Sequence, residues 1–416
     1  MSDLALLGGT PVRDTPFPEW PAYSTEEEAG VVLDALRSGH LCGAAGGTYH
    51  PAFEEAFASW CGATGAVTCN SGSSAIHVAL EAVGVGPGDE VIVPVYTYYA
   101  SGTSVLVAGA IPVFADIPPG ESNLAPGAFE AAITDRTKAV MVVHADGVPA
   151  NMDAICEVAD RHGISIVEDC SHAHGASYRG IRTGILGDVG AFSIQHKKIL
   201  SVGEGGVVVS KHPEVVERAR AFVNLGGGTD TGVLGPNLRM GEMPGALALK
   251  RMTRVDDEHR QRRDNADGLL ADVADLPGVR PVPVGIPDHI EPVYYNLILA
   301  YEPDELGIDR KTFSDAVQAE GVPLRSGFYK PLNLLPVFAE QQAWPYLLEE
   351  NKPSVARGLY GPGKCPVGEA FMEKGHLELK VHPPVGEREM WGAGAAIKKV
   401  IEGVGSLADR EARDAL

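Results

Sequence analysis

VMVVHADGVPANMDAICEVADRHGISIVED, residues 140–169, decides the fold. It opens on the apolar run Val140 to Val143. Asn151 and Asp153 then offer helix-start residues, Ile155, Val158 and Ala159 fall on one helical face, and Gly163 stops the helix. Ile164-Ser165-Ile166-Val167 follows as a second strand and runs into Glu168-Asp169. Strand, helix and strand joined by short links make a βαβ unit, which requires a parallel sheet. Its strands are continuous apolar runs, the pattern of strands covered on both faces.

The same grammar extends outward. Val91-Ile92-Val93 reads as a strand closed by Pro94, and Val67-Thr68-Cys69 as another. The latter leads into a helix that begins near Ser73 and carries Ile76, Ala79, Leu80 and Val83. From Met243 to about Asp267 the pattern predicts one increasingly charged helix that connects two domains. Beyond it, Val293 to Tyr301 and Leu377 to Val381 read as strands and Thr312 to Glu320 as a helix, with a frayed charged helix after Gly405. The expected fold is α/β. Residues 1–255 form a large domain with a mostly parallel central sheet flanked by helices, and residues 256–416 form a smaller C-terminal α+β domain.

Lys+Arg total 34 against Asp+Glu 55, a net charge of −21, which repels nucleic acid and anionic membrane. Any bound phosphate must therefore be held by local geometry. The six cysteines show neither C-x-x-C pairing nor zinc spacing, so no metal is expected. Met1-Ser2-Asp3-Leu4 shows no basic segment followed by an apolar run, and no stretch is long and apolar enough to span a bilayer; the cytoplasm is the expected compartment.

In doubly wound sheets, ligands bind at the carboxyl ends of the strands. Asn70-Ser71-Gly72-Ser73-Ser74 lies between a strand and a helix, where free N–H groups and the helix dipole favour an anion; an ordinary serine cap reads the same way. Glu168-Asp169 ends a strand, where a carboxylate suits a cationic ring nitrogen; a solvated loop acid or a cap for the next segment reads the same way. Ser193-Ile194-Gln195-His196-Lys197-Lys198 precedes Gly203-Glu204-Gly205-Gly206, a turn that can hold a lysine near a cofactor with its pKa lowered by burial. Pyridoxal phosphate (PLP) requires a phosphate cradle, an acid facing its pyridine nitrogen, a lysine for its aldehyde and a ring to stack on. Ser73 and Ser74, Asp169, Lys198 and Tyr98 answer these needs in turn.

At these residues the chain resembles the DegT/StrS-type sugar and cyclitol aminotransferases of PLP fold type I, from about Glu19 to about Pro383. The matching motifs are Phe53-Glu54, Ser71 to Ala75, Pro94 with Thr97-Tyr98, His144 with Gly147, Glu168 to Ala176, Gly187-Asp188, Phe192-Ser193, Lys198, Gly203 to Gly206, and Asn237 to Met240. The resemblance implies that Lys198, not Lys197, holds PLP as a Schiff base and moves the proton. It implies that Asp169 pairs with the pyridine nitrogen, Tyr98 stacks on the ring, and Ser73, Ser74 and Ser193 bind the phosphate. Asn237 would reach the phosphate of a neighbouring subunit, which implies a homodimer with shared sites. His172 stands where many members have a Gln that contacts the cofactor. His172-Ala173-His174-Gly175 and Ser193-x-Gln195 resemble the scyllo-inosose aminotransferases and aminohydroxybenzoate synthase, whereas Phe328 to Leu332 keeps a pattern of the nucleotide-sugar enzymes. The implied reaction moves an amino group from glutamine or glutamate to a keto group of a cyclitol or sugar. A PLP lyase, dehydratase or oxidase would share every cofactor residue; a non-catalytic PLP-binding regulator would need a basic or helix-turn-helix element, which the chain lacks.

Overall fold

The structure, a computed structural model, describes residues 3–20, 25–43, 47–227, 232–327 and 330–414. Phe328 and Tyr329 lie outside these residues. Seven strands form the main sheet: β1 (Gly65–Cys69), β2 (Glu90–Pro94), β3 (Ile111–Ala115), β4 (Thr137–Val143), β5 (Ser165–Asp169), β6 (Val189–Ser193) and β7 (Gly206–Ser210). Their spatial order is β1-β7-β6-β5-β4-β2-β3. The run from β6 to β3 is parallel, and β7 is antiparallel to both of its neighbours. Residues 194–205 contain no helix to carry the chain back across the sheet, so β7 can only return beside β6 in the opposite sense. That return loop holds Lys198 at the carboxyl end of β6.

The βαβ unit forms as its sequence dictates. Asn151 caps helix Met152–His162 by accepting the Ala154 N–H at 3.3 Å, and Gly163 closes it in the left-handed region at φ 65°. Ile155, Val158 and Ala159 pack onto Ile92, Val140, Val142 and Ile166 of the sheet. Full burial of a side chain such as Ile155 is worth about 1.5–3 kcal/mol. The opposite face is covered by helix Gly72–Ala82, whose Ile76, Ala79 and Leu80 share a core with Val91, Val93, Val143 and Val167.

Two readings of the sequence change. The helix expected over 243–267 is two helices, Glu242–Met252 and Val255–Val273. Thr253 Oγ1 donates back to the Lys250 carbonyl at 2.8 Å, and Arg254 is drawn to Glu28 (2.6 Å) and Glu258 (2.7 Å). The strand expected over 293–301 begins only at Leu297. The residues before it leave the ladder, with Val293 N donating to the Gly147 carbonyl at 2.9 Å, Asn296 N to the Asp146 carbonyl at 3.3 Å, and Tyr294 at φ 47°.

A second, antiparallel sheet orders Val279–Val282, Leu297–Tyr301, His376–Leu379 and Arg325–Ser326. The two cores draw on distant segments of the chain. Leu4 packs with Ala266, Leu297 and Leu407, while Leu332, Phe338, Tyr346 and Met372 pack into the core of the parallel sheet. No helix among the described residues is long and apolar enough to cross a membrane.

Candidate active site

The chain runs from β2 outward to β3 and from β4 the other way to β5 and β6, so a crevice opens where β2 and β4 end. There a cavity of about 430 Å³ is lined by Ser73, Tyr98, Asp169, His172, Ser193 and Lys198, with Gly72, Gln195, Glu204 and Tyr295 among the others.

One end is the start of helix Gly72–Ala82. The Ser71 hydroxyl accepts the Ser74 N–H at 3.1 Å and the Ser71 carbonyl accepts that of Ala75 at 3.0 Å. This leaves the N–H groups of Gly72 and Ser73 as the uncommitted donors of the first turn. A side chain on Gly72 would meet Ser193 Cβ at 2.4 Å, so only glycine lets the helix end abut β6 and bring the Ser193 hydroxyl beside it. Ser74 does not line the cavity: its hydroxyl donates to Asn70 Oδ1 at 2.7 Å and accepts from Ser71.

The two acids that end β5 have different tasks. Glu168 is fully buried; it accepts from the N–H groups of Gly184 and Gly187 at 2.8 Å each and meets His144 Nε2 at 2.9 Å. His144 Nδ1 accepts the Ala150 N–H, so Nε2 must be the donor and the cluster satisfies itself. With Cys170 these residues are the one group of metal-type ligands among the described residues, and both ring nitrogens of the histidine are already used. Asp169 faces the cavity instead. Its Oδ2 accepts from Ser101 Oγ at 2.8 Å and its Oδ1 from Ser171 N at 3.1 Å.

Lys198 is partly buried and Lys197 exposed. Desolvation pushes the Lys198 ammonium down to about 8, against the pull of the Asp169 and Asp146 carboxylates. Its Nζ lies 4.8 Å from the centre of the Tyr295 ring. His172 stacks on the same Tyr295 ring, with ring centres 4.1 Å apart and planes 15° apart. Burial holds the His172 imidazole well below its ordinary range, and Nδ1 accepts the Asp146 N–H at 3.4 Å. His172 is therefore a neutral donor through Nε2. Tyr98 caps helix Tyr99–Val107 from the cavity rim and leans on Tyr99 with ring centres 4.2 Å apart.

Asn237 lies outside the cavity and is exposed. Its Oδ1 accepts the Arg239 N–H at 3.3 Å; helix Glu242–Met252 starts at Gly241 with no side-chain cap, so Asn237 does not cap it. The sequence reading had no signal for Tyr295, buried in an apolar run, or for Ser101, one turn beyond Tyr98.

An anion cradle, a carboxylate and a desolvated amine around one cavity are the parts of a PLP-type transfer site. The DegT/DnrJ/EryC1/StrS aminotransferase family model matches residues 22–354, and the chain belongs to this family. It is similar to L-glutamine:2-deoxy-scyllo-inosose aminotransferase of Streptomyces fradiae, 41% identical over 68% of this chain and 70% of that protein. Among solved structures it resembles S. venezuelae DesV in complex with a ketimine intermediate (35% identity, TM-score 0.78, 91% of this chain and 94% of that one). It also resembles 3-amino-5-hydroxybenzoic acid synthase (28% identity, TM-score 0.81, 94% and 99%). The chain is an aminotransferase with a mixed α/β fold.

Proposed function

We propose that the chain is a PLP-dependent aminotransferase that takes an amino group from glutamine and delivers it to the ketone of a scyllo-inosose-type cyclitol. The observation that carries this reading is the meeting of Lys198, Asp169 and the first turn of helix Gly72–Ala82 in one cavity. When bound, PLP stores the amino group between donor and acceptor and takes up the electron pair released at the substrate carbon.

The residues of the chain do the rest. Gly72 N–H, Ser73 and Ser193 hold the phosphate. Asp169, oriented by Ser101 and Ser171, holds a proton on the ring nitrogen. Tyr98 covers the ring, and His172 donates through Nε2 to an oxygen on it. Lys198 carries the cofactor and then moves the proton at the substrate carbon, a task suited to an amine that burial brings near neutral pH. Asn237, exposed in the single chain, is free to complete the phosphate cradle of a second copy, so the active form is a homodimer, and the cytoplasm is its compartment.

Two measurements test this. Incubation with L-glutamine and 2-deoxy-scyllo-inosose should yield the aminated cyclitol by mass spectrometry; no amine with any cyclitol or sugar ketone, or release of a dehydrated product, would replace transamination with another reaction. Borohydride reduction and peptide mapping should place the pyridoxyl group on Lys198, and an adduct on Lys197 would overturn the assignment.

A further inference from the structure

Behind the wall that Tyr295 forms, a chain of hydrogen bonds joins the two sheets. Asp146 follows β4 in the left-handed region, φ 56°, a conformation that non-glycine residues keep only when their surroundings hold it. All of its polar groups are engaged. Its N–H donates to His172 Nδ1 (3.4 Å) and its carbonyl accepts from Asn296 N (3.3 Å). Oδ1 accepts from Asn296 Nδ2 and Oδ2 from the Tyr96 hydroxyl, both at 2.8 Å. A side chain on Gly147 would meet Tyr295 N at 2.7 Å, so the turn also sits directly against Tyr295.

The far end of this chain is Lys380. Its Nζ donates to Asn296 Oδ1 and, at 3.2 Å, to the Tyr295 carbonyl, and it lies 3.7 Å from the centre of the Tyr295 ring. The ring thus has an amine at 3.7 Å and another, Lys198, at 4.8 Å, and the two can be no farther apart than these lengths together. Lys380 is not among the cavity-lining residues. The charged and titratable groups around it are Glu378, which is paired with Arg325 at 3.0 Å, Asp146 through the Asn296 amide, Lys198, and the imidazoles of His172 and His382, both held neutral by burial.

We infer that Lys380 is a positioning residue of the active site, which fixes the Tyr295 wall through Asn296 and holds its own proton in competition with that of Lys198. The inference rests on Lys198 as the reactive lysine. Two like charges at this range, at an effective dielectric near 20, disfavour each other by roughly one pH unit or slightly more. The amines therefore titrate as a pair, and the one that yields its proton first does so because the other keeps its own. Desolvation already brings Lys380 to about 7, while Glu378 and Asp146 pull it upward.

The test is timed acylation of the full-length chain, stripped of cofactor, across about pH 6 to 10, with Lys198 and Lys380 read separately by peptide mass spectrometry. Lys198→Gln removes the neighbouring charge and Lys198→Arg keeps it. The Lys380 midpoint should rise by about one pH unit in K198Q and stay at its wild-type value in K198R. The same Lys380 midpoint in both folded variants would overturn the inference, since a merely structural lysine would not sense the difference. Should K198Q not fold, Lys198→Met removes the same charge, and its Lys380 midpoint is compared with that of K198R on the same terms. Failure of the Lys198 assignment is a separate result, seen as a borohydride adduct on another lysine.

Discussion

Asp169→Asn should leave a folded enzyme that retains PLP yet turns over about a hundred- to a thousandfold more slowly. The amide has the shape of the carboxylate: its oxygen can still accept from Ser171 N, and its nitrogen can donate to the Ser101 hydroxyl, which turns to accept. It cannot hold a proton on the cofactor's ring nitrogen, so the ring loses its capacity to take up the electron pair. The phosphate end, built from Gly72, Ser73 and Ser193, is untouched, which is why the cofactor should remain. The measurement is the single-turnover rate with L-glutamine, beside a melting curve and a count of bound PLP. A near-wild-type rate in the loaded variant would remove Asp169 from its role.

The second large effect is a recovery. Lys198→Ala and Asn237→Asp should each be inactive alone, the first for want of the amine and the second because a carboxylate repels phosphate. Mixed under conditions that exchange subunits, they should regain about a quarter of wild-type activity. Half the dimers are then hybrids, and in each hybrid one site carries both lesions and the other neither. The exposure of Asn237 and its absence from the cavity of its own chain motivate the experiment. No recovery despite demonstrated exchange and inactive parents would place Asn237 in service of its own subunit.

Much of the site was legible because it depends on local rules. The βαβ unit announces itself through an Asn cap, a 3.6-residue apolar face and a terminal glycine, and the ends of its strands say where chemistry collects. Ser73, Asp169 and Lys198 follow from such positions. Tyr295 does not. It sits in an apolar run that reads as strand, and only the contacts of Val293 and Asn296 with the turn at Asp146 and Gly147 pull it out of the ladder toward the cavity. Lys380 and Asp146 meet through Asn296 across more than two hundred residues, a pairing no local pattern encodes. The break at Thr253 was equally hidden, because neither proline nor glycine marks it. It is set by a hydroxyl that turns back on its own helix and by the distant Glu28.

The exchange of segments between the two cores bears on how the chain is made. Synthesis runs from the N-terminus, and a domain with a contiguous core can close while the remainder is still being translated. Here the parallel sheet waits for Phe338, Tyr346 and Met372 to cover it, and Leu4 waits for Leu407. Neither half can finish on its own segment of the chain. Apolar strands stay exposed while the intervening residues are translated, and the later segments act as the clasp that ends that exposure for both halves.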